Sequence, residues 1–136
     1  MTTRYRVGVI GFAHMHVNAL IASFDALPNV DWVACADTVP TVPWSSTTHN
    51  SRADNVRRAH EETGIPKVYD DYREMLDKEA FDIIIFCPEN ARHAEVAKAI
   101  AGHRVHMLTE KPMADTLSNA LRMARVEQEY GLTATY

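Results

Sequence analysis

The sequence predicts an α/β fold with a doubly wound parallel sheet of about six strands and helices on both faces. Short apolar runs, typical of buried strands, alternate along the chain with segments of helical periodicity. The first of these runs ends in a glycine turn that leads directly into a helix, as phosphate-binding turns do. Polar residues follow several strands at their carboxyl ends, where open parallel sheets bind ligands.

The first strand is predicted over residues 5–10 and is rich in β-branched apolar residues, as buried parallel strands are. Gly11 ends it, and a helical pattern runs from about His14 to Leu27. The free backbone N–H groups and the dipole at the start of such a helix favour a bound phosphate. The turn therefore supplies five candidate cofactor-binding residues: Gly11, Phe12, Ala13, His14 and Met15.

The rest of the chain continues the alternation. Further strands are predicted over residues 31–36, 65–69, 81–87, 104–108 and 132–136, and further helices over residues 51–63, 71–77, 91–101 and 116–130. Segment 38–50 reads as a loop, and Pro66 favours an edge position for the third strand. The local signals for helix starts are a capping-box spacing from Ser51 to Asp54, a capping Asp70 or Asp71, and Asp115 or Thr116 before the last helix. The signals for helix ends are the glycines Gly64, Gly102 and Gly131.

Length and composition predict one domain over residues 1–136. A formal net charge of −4 gives no reason to expect a nucleic-acid or membrane partner. Cys35 and Cys87 lie in predicted strands without a disulfide spacing, which favours a reducing compartment. No apolar run is long enough to span a membrane and no signal peptide is evident, so we expect a cytoplasmic protein.

The first turn partly matches the glycine pattern of dinucleotide-binding sites. The three glycine positions of G-x-G-x-x-G fall at Gly11, Ala13 and His16, so only the first glycine is present. Asp37 ends the second strand, about 20 residues beyond the turn, where a carboxylate accepts hydrogen bonds from the adenosine ribose. Because its charge would oppose a 2′-phosphate, Asp37 predicts NAD as the cofactor.

Two alternatives remain open for Asp37. An aspartate at the end of a strand often only caps a turn. In addition, Arg52, Arg57 and Arg58 lie nearby in the sequence, and one of them folded back onto the site would allow NADP.

His14 and His16 form an H-x-H pair in the same turn. At a junction between loop and helix, residues two apart diverge, and no carboxylate or cysteine accompanies them locally. A metal site needs three or four ligands. We therefore predict no metal and expect both rings to line the cofactor cleft or to cover the start of the helix.

The turn after the fourth strand contains Cys87, Pro88, Asn90 and His93. Asn90 either caps the next helix or directs its amide towards the nicotinamide ribose. His93 lies in the first turn of that helix, from which it could face the same cleft.

The turn after the fifth strand consists of Glu110, Lys111 and Pro112. A lysine is usually a solvated surface charge. At the carboxyl end of a buried strand, however, its ammonium group can donate to a substrate hydroxyl. Lys111 is therefore the predicted catalytic residue.

Taken together, these motifs resemble the N-terminal, Rossmann-type half of the glucose–fructose oxidoreductase/inositol dehydrogenase (Gfo/Idh/MocA) family. The resemblance implies an NAD(P)-dependent oxidoreductase acting on sugars, inositols or related polyols. It further implies that Lys111 touches both the substrate hydroxyl and the nicotinamide side of the cofactor. The residues implied around the cofactor are Gly11, Asp37, Pro88, Asn90, His93 and Glu110. The segments that carry the resemblance are 6–11, 36–37, 64, 68–72, 82–85, 88–93 and 110–112.

Enzymes of this family also carry a second α/β domain, which supplies an acid–base histidine and most of the substrate pocket. That domain is absent from these 136 residues. We therefore expect the chain to bind cofactor without catalysing turnover by itself, and the full-length protein to form a homo-oligomer. The alternative is a non-catalytic nucleotide-binding or interaction module that lacks a substrate domain.

Overall fold

The computed structural model describes residues 3–39 and 51–136. They form one six-stranded parallel sheet with helices between the strands. The strands are β1 (Tyr5–Phe12), β2 (Val30–Ala36), β3 (Val68–Tyr69), β4 (Ile83–Cys87), β5 (His106–Thr109) and β6 (Ala134–Thr135). The helices are α1 (Val17–Asp25), α2 (Arg52–Arg57), α3 (Tyr72–Lys78), α4 (His93–Gly102) and α5 (Leu117–Tyr130).

The spatial order β3-β2-β1-β4-β5-β6 confirms the doubly wound sheet. β1 is central and pairs in parallel with β2 on one side and β4 on the other. One face of the sheet packs against α1 and α2 and contains Val7 and Val9. The other packs against α3, α4 and α5 and contains Ile10. The two-residue side-chain period of a strand directs these neighbours into opposite layers.

The end of β1 departs from this alternation. Gly11 has a φ of +83°, and the pairing register with β4 shifts between Ile10 and Phe12. Phe12 therefore packs with Val7 and Val9, although strict alternation would place it with Ile10. The glycine thus turns the chain out of the strand at the point where the sequence predicts a ligand-binding turn.

All six predicted strands are present, although several bounds differ. β1 extends two residues further than predicted, because Phe12 still pairs with Cys87 of β4. β3 is reduced to two residues at the sheet edge, with Pro66 just before it. The edge position agrees with the prediction from Pro66, since a residue without an N–H cannot join an internal ladder.

Two predicted helices differ in form. α1 begins at Val17, because residues 13–16 form a tighter turn in which Val17 N–H donates to His14 O at 3.1 Å. The helix predicted over 51–63 is α-helical only to Arg57 and then makes a π-helical turn, in which Thr63 N–H donates to Arg58 O at 3.0 Å. Neither change is marked by a proline or glycine in the sequence.

The predicted helix caps are largely confirmed. The side chains of Ser51, Asp71 and Thr116 accept from the backbone at the starts of α2, α3 and α5. Gly64 and Gly131 end their helices with φ of +83° and +62°. α4 also ends at Gly102 as predicted, and the left-handed residue near this end is Arg104, with φ of 60°.

Of the predicted loop over residues 38–50, only Thr38 and Val39 lie within the described residues. Among the helices of the described ranges, none has the length and apolarity required to cross a membrane.

Candidate functional site

The candidate residues follow the carboxyl ends of four strands. Because the sheet is parallel, the carboxyl ends of its strands lie side by side along one end of the sheet. At this end β1 lies in the middle, between β2 and β4. Gly11 is the next-to-last residue of β1, while Asp37 follows β2, Pro88 follows β4, and Lys111 follows β5. The fold thus brings the predicted site residues to a single edge.

Gly11 makes a close approach that only glycine allows. A Cβ atom on Gly11 would lie 2.5 Å from Pro88 N, 2.8 Å from Pro88 Cα and 2.9 Å from Cys87 C. All three contacts are to backbone atoms, and the positive φ disfavours a side chain as well. Ala13 N–H donates to Cys87 O at 3.0 Å, so the turn is fastened to the end of β4.

The turn before α1 leaves backbone donors available. Ala13 N–H is held by Cys87 O, and His16 N–H makes a long contact of 3.4 Å with His14 Nδ1. Within the described ranges, no acceptor takes the N–H groups of His14 and Met15. The Met15 side chain is exposed. These two donors, at the start of a nine-residue helix, are suited to an anionic ligand.

Asp37 is the centre of a hydrogen-bonded cluster. Its Oδ1 accepts from Phe12 N and Thr38 N, each at 2.8 Å. Arg52 donates to both carboxylate oxygens, at 2.8 Å from Nε and 2.7 Å from Nη2. The same guanidinium reaches Glu89 at 2.6 Å and both oxygens of Thr38 at 2.7 Å. Arg52 therefore joins the end of β2 to the loop after β4.

Burial lowers the pKa of Arg52, but the hydrogen bonds and charges of Asp37 and Glu89 outweigh it, so that the pKa is raised overall. From the sequence, Arg52 is only one of three arginines close to Asp37, and Glu89 is not predicted to pair with any of them. No local signal marks this pairing, because it depends on where α2 starts relative to β2 and β4.

Of the candidate residues after β4, Asn90 is exposed and His93 is buried. Asn90 is exposed at the start of a 3₁₀ turn that precedes α4. His93 is buried, packs edge-on against Phe86, and contacts Met113 O through Nδ1 at 3.1 Å. Burial lowers the pKa of His93. His93 thus links this loop to the loop after β5 and holds a neutral ring there.

Cys87 and Pro88 are both buried at this edge, and burial raises the pKa of the Cys87 thiol to about 12. Cys35 is also a buried free thiol, and burial likewise raises its pKa to about 12. Neither thiol is therefore ionised near neutral pH.

The loop after β5 meets the first turn through a contact between His16 and Glu110. His16 Nδ1 lies 3.4 Å from Glu110 Oε2. The rings of His14 and His16 are 4.5 Å apart at their centroids, and burial, followed by the neighbouring His16, lowers the pKa of His14. Lys111 is exposed, and the peptide bond between Lys111 and Pro112 is cis. Within the described ranges, no three His, Cys, Asp or Glu residues are grouped to hold a metal ion.

Residues 5–136 match the Gfo/Idh/MocA family model, described as an oxidoreductase family with an NAD-binding Rossmann fold. The chain belongs to this family. The Gfo/Idh/MocA fold and the nicotinamide dinucleotide cofactor class expected from the sequence are thereby confirmed.

Among curated relatives, a myo-inositol 2-dehydrogenase of Thermotoga maritima is 31% identical over 72 residues, which are 53% of this chain and 22% of that protein. The chain thus spans about a fifth of the length of the curated relatives it matches.

Two solved structures show the same fold. An oxidoreductase from Agrobacterium radiobacter, in complex with NAD+, L-tartaric acid and magnesium, has a TM-score of 0.79 at 17% identity. It is matched over 98% of this chain and 35% of that one. A mutant 3-ketoreductase from Actinomadura kijaniata, in complex with TDP-benzene and NADP, has a TM-score of 0.73 at 26% identity, over 97% of this chain and 38% of that one.

Proposed function

We propose that this chain is the cofactor-binding part of a dehydrogenase that uses NAD, with NADP as the alternative, and acts on a hydroxyl group of a sugar, inositol or related polyol. The proposal rests on one observation: Gly11, Asp37, Asn90 and Lys111 all lie at the carboxyl ends of the strands, on the same end of the sheet. Family membership supports the cofactor class, and the inositol dehydrogenases among the relatives support the substrate class. Because the chain spans only a fifth of those relatives, the activity is proposed for the whole protein.

The first turn has the chemistry required to hold a pyrophosphate. The N–H groups of His14 and Met15 supply two backbone donors, and the start of α1 adds the positive end of a helix dipole. Gly11 allows the backbone of this turn to pass close to Pro88 at the end of β4. Asp37 lies at the end of β2, on the side where the adenosine ribose would bind.

When bound, the nicotinamide would supply the hydride acceptor or donor for the reaction. In this proposal Lys111 donates a hydrogen bond to the substrate oxygen and favours its ionised form. A lysine ammonium group is only a donor, so Lys111 orients the hydroxyl and does not remove its proton. Glu110 and His16 hold the turns after β5 and β1 together, which fixes the distance between the substrate-facing turn and the cofactor-facing turn.

The binding step can be tested by removing a single donor. Met15→Pro deletes one free N–H at a position near the start of a helix, where proline is tolerated. Met15→Ala is the matched control, because it removes the same exposed side chain and keeps the N–H. Calorimetric titration should show that NADH binds wild type more tightly than NADPH does, and that the proline variant loses affinity several-fold while the alanine variant does not.

Urea unfolding of each variant establishes that it is folded before titration. Absence of NADH binding by the wild-type chain would refute the proposed function. Equal loss of affinity in both Met15 variants would assign the effect to the side chain and reject the backbone donor. Tighter binding of NADPH than of NADH would reject NAD as the preferred cofactor.

A further inference from the structure

Arg52 occupies acceptor positions that a bound ribose would need. A carboxylate has about four lone-pair positions for hydrogen bonds. Asp37 already accepts from four donors: Phe12 N, Thr38 N and Nη2 of Arg52 on Oδ1, and Nε of Arg52 on Oδ2, which leaves one position on Oδ2. An adenosine ribose presents two hydroxyl groups at this position. It could not donate both of them to Asp37 unless some of the present donors left.

Only the arginine donors can leave without disturbing the sheet. Phe12 N–H belongs to the last residue of β1, and Thr38 N–H lies two residues beyond β2. Both are backbone groups whose positions are set by strands. Arg52 contributes a side chain from the first residue of α2, and its guanidinium is therefore the part of the cluster that can move independently.

The guanidinium has other partners that would keep its charge compensated after such a move. Nη1 donates to Glu89 at 2.6 Å, and Nη2 reaches the carbonyl and hydroxyl oxygens of Thr38. Arg52 is only 7% exposed, so a move that left its charge without a partner would be costly. With Glu89 retained as a partner, Asp37 can be released while Arg52 remains paired.

We propose that Arg52 is an internal competitor for the adenosine-ribose position: it holds Asp37 in the ligand-free protein, and when a ribose binds it releases Asp37 and keeps Glu89 and Thr38 as partners. Arg52 acts through Asp37 and is thus a positioning residue. The inference rests on the proposed function and adds to it the residue that controls the adenosine end of the site. Because Glu89 offsets the charge of Arg52, the cluster remains net negative and keeps its preference against a 2′-phosphate.

The test compares ADP with 2′-deoxy-ADP, since these ligands carry the same charge and differ only in the hydroxyl at issue. The double variant R52Q/E89Q removes the competitor and keeps the formal charge of the Asp37, Glu89 and Arg52 cluster at −1, because one cation and one anion are lost together. R58Q is the control: it removes an arginine six residues further on whose side chain makes no hydrogen bond to Asp37.

In calorimetric titrations, wild type and R58Q should bind ADP and 2′-deoxy-ADP within about threefold of each other, because the gain from the hydroxyl is offset by the release of Arg52. In R52Q/E89Q the preference for ADP should rise to about tenfold or more, as expected for a hydrogen bond to a charged acceptor. A purely structural role of Arg52 would change both affinities together and leave their ratio unchanged.

If R52Q/E89Q fails to fold in urea titrations, R52K replaces it, since lysine keeps the charge and cannot make the two-pronged contact with Asp37. A smaller rise in the ratio is then expected. An unchanged ratio, or a tenfold preference already present in wild type, would overturn the competitor role. If wild type and all variants bind neither ADP nor NADH, the proposed function fails, and the competitor role fails with it.

Discussion

Replacing Gly11 with alanine should destabilise the fold through two separable effects. The φ of +83° disfavours any residue with a Cβ, at a cost of about 1–2 kcal/mol. The new Cβ would also lie 2.5 Å from Pro88 N, so the backbone at the end of β4 would have to shift. Overpacking of this kind costs about 1–3 kcal/mol. The expected total loss in the free energy of unfolding is about 2–5 kcal/mol.

Two other glycines separate these effects. Gly64 has the same φ of +83°, but a Cβ on it would meet nothing within 4 Å, so Gly64→Ala measures the conformational cost alone. Gly102 has neither restriction and lies in α4, so Gly102→Ala should be neutral or stabilising by up to about 1 kcal/mol.

Urea unfolding of the four proteins gives the comparison directly. With a slope of about 1–3 kcal/mol per molar urea, the midpoint of Gly11→Ala should lie below that of Gly64→Ala by roughly 1 M. The difference between the two variants measures the contact with Pro88. If Gly11→Ala were no less stable than Gly64→Ala, the turn would have a different conformation, and its assignment as a phosphate-binding turn would be refuted.

Two further predictions concern helix ends and acid stability. Thr116→Ala should cost about 1 kcal/mol in urea unfolding, because Thr116 caps α5 by accepting from Asn119 N–H, whereas Ser118→Ala in the same turn should change little. Hydrogen bonds, from Arg92 above all, lower the pKa of Glu95 to about 2. Glu95 therefore contributes stability above pH 4.5 that is lost between pH 4.5 and 2. In Glu95→Gln, the free energy of unfolding should vary less over that interval, by about 0.2–1 kcal/mol, since the Glu95 carboxylate is partly exposed. An unchanged dependence on pH would contradict this.

The sequence predicted most where a feature depends on neighbouring residues. β4 reads as a buried strand because its run of apolar residues needs no distant partner to identify it. The caps at Ser51, Asp71 and Thr116 were predictable for the same reason, because each side chain bonds a backbone group within three residues. The left-handed helix end at Gly64 was predictable from the residue type alone, because glycine has no Cβ and adopts a positive φ readily.

The sequence predicted less where a feature depends on position in space. Which of the three arginines would reach Asp37 was undetermined, and only the start of α2 beside the end of β2 selects Arg52. The second anchor on Glu89 lies 37 residues away and follows a different strand. The left-handed conformation of Arg104 is of the same kind, since it is set by the turn that follows α4.

The two departures from the glycine pattern have different physical consequences for the first turn. Ala13 donates its N–H to Cys87 O, so this group is committed to the end of β4 and is not a donor for a ligand. His16 extends a side chain from the start of α1 to Glu110 at the end of β5, where glycine would provide only close packing. The histidine therefore connects the proposed pyrophosphate turn to the loop that carries Lys111, across the strand β4 that lies between them. A glycine at this position could not make that connection.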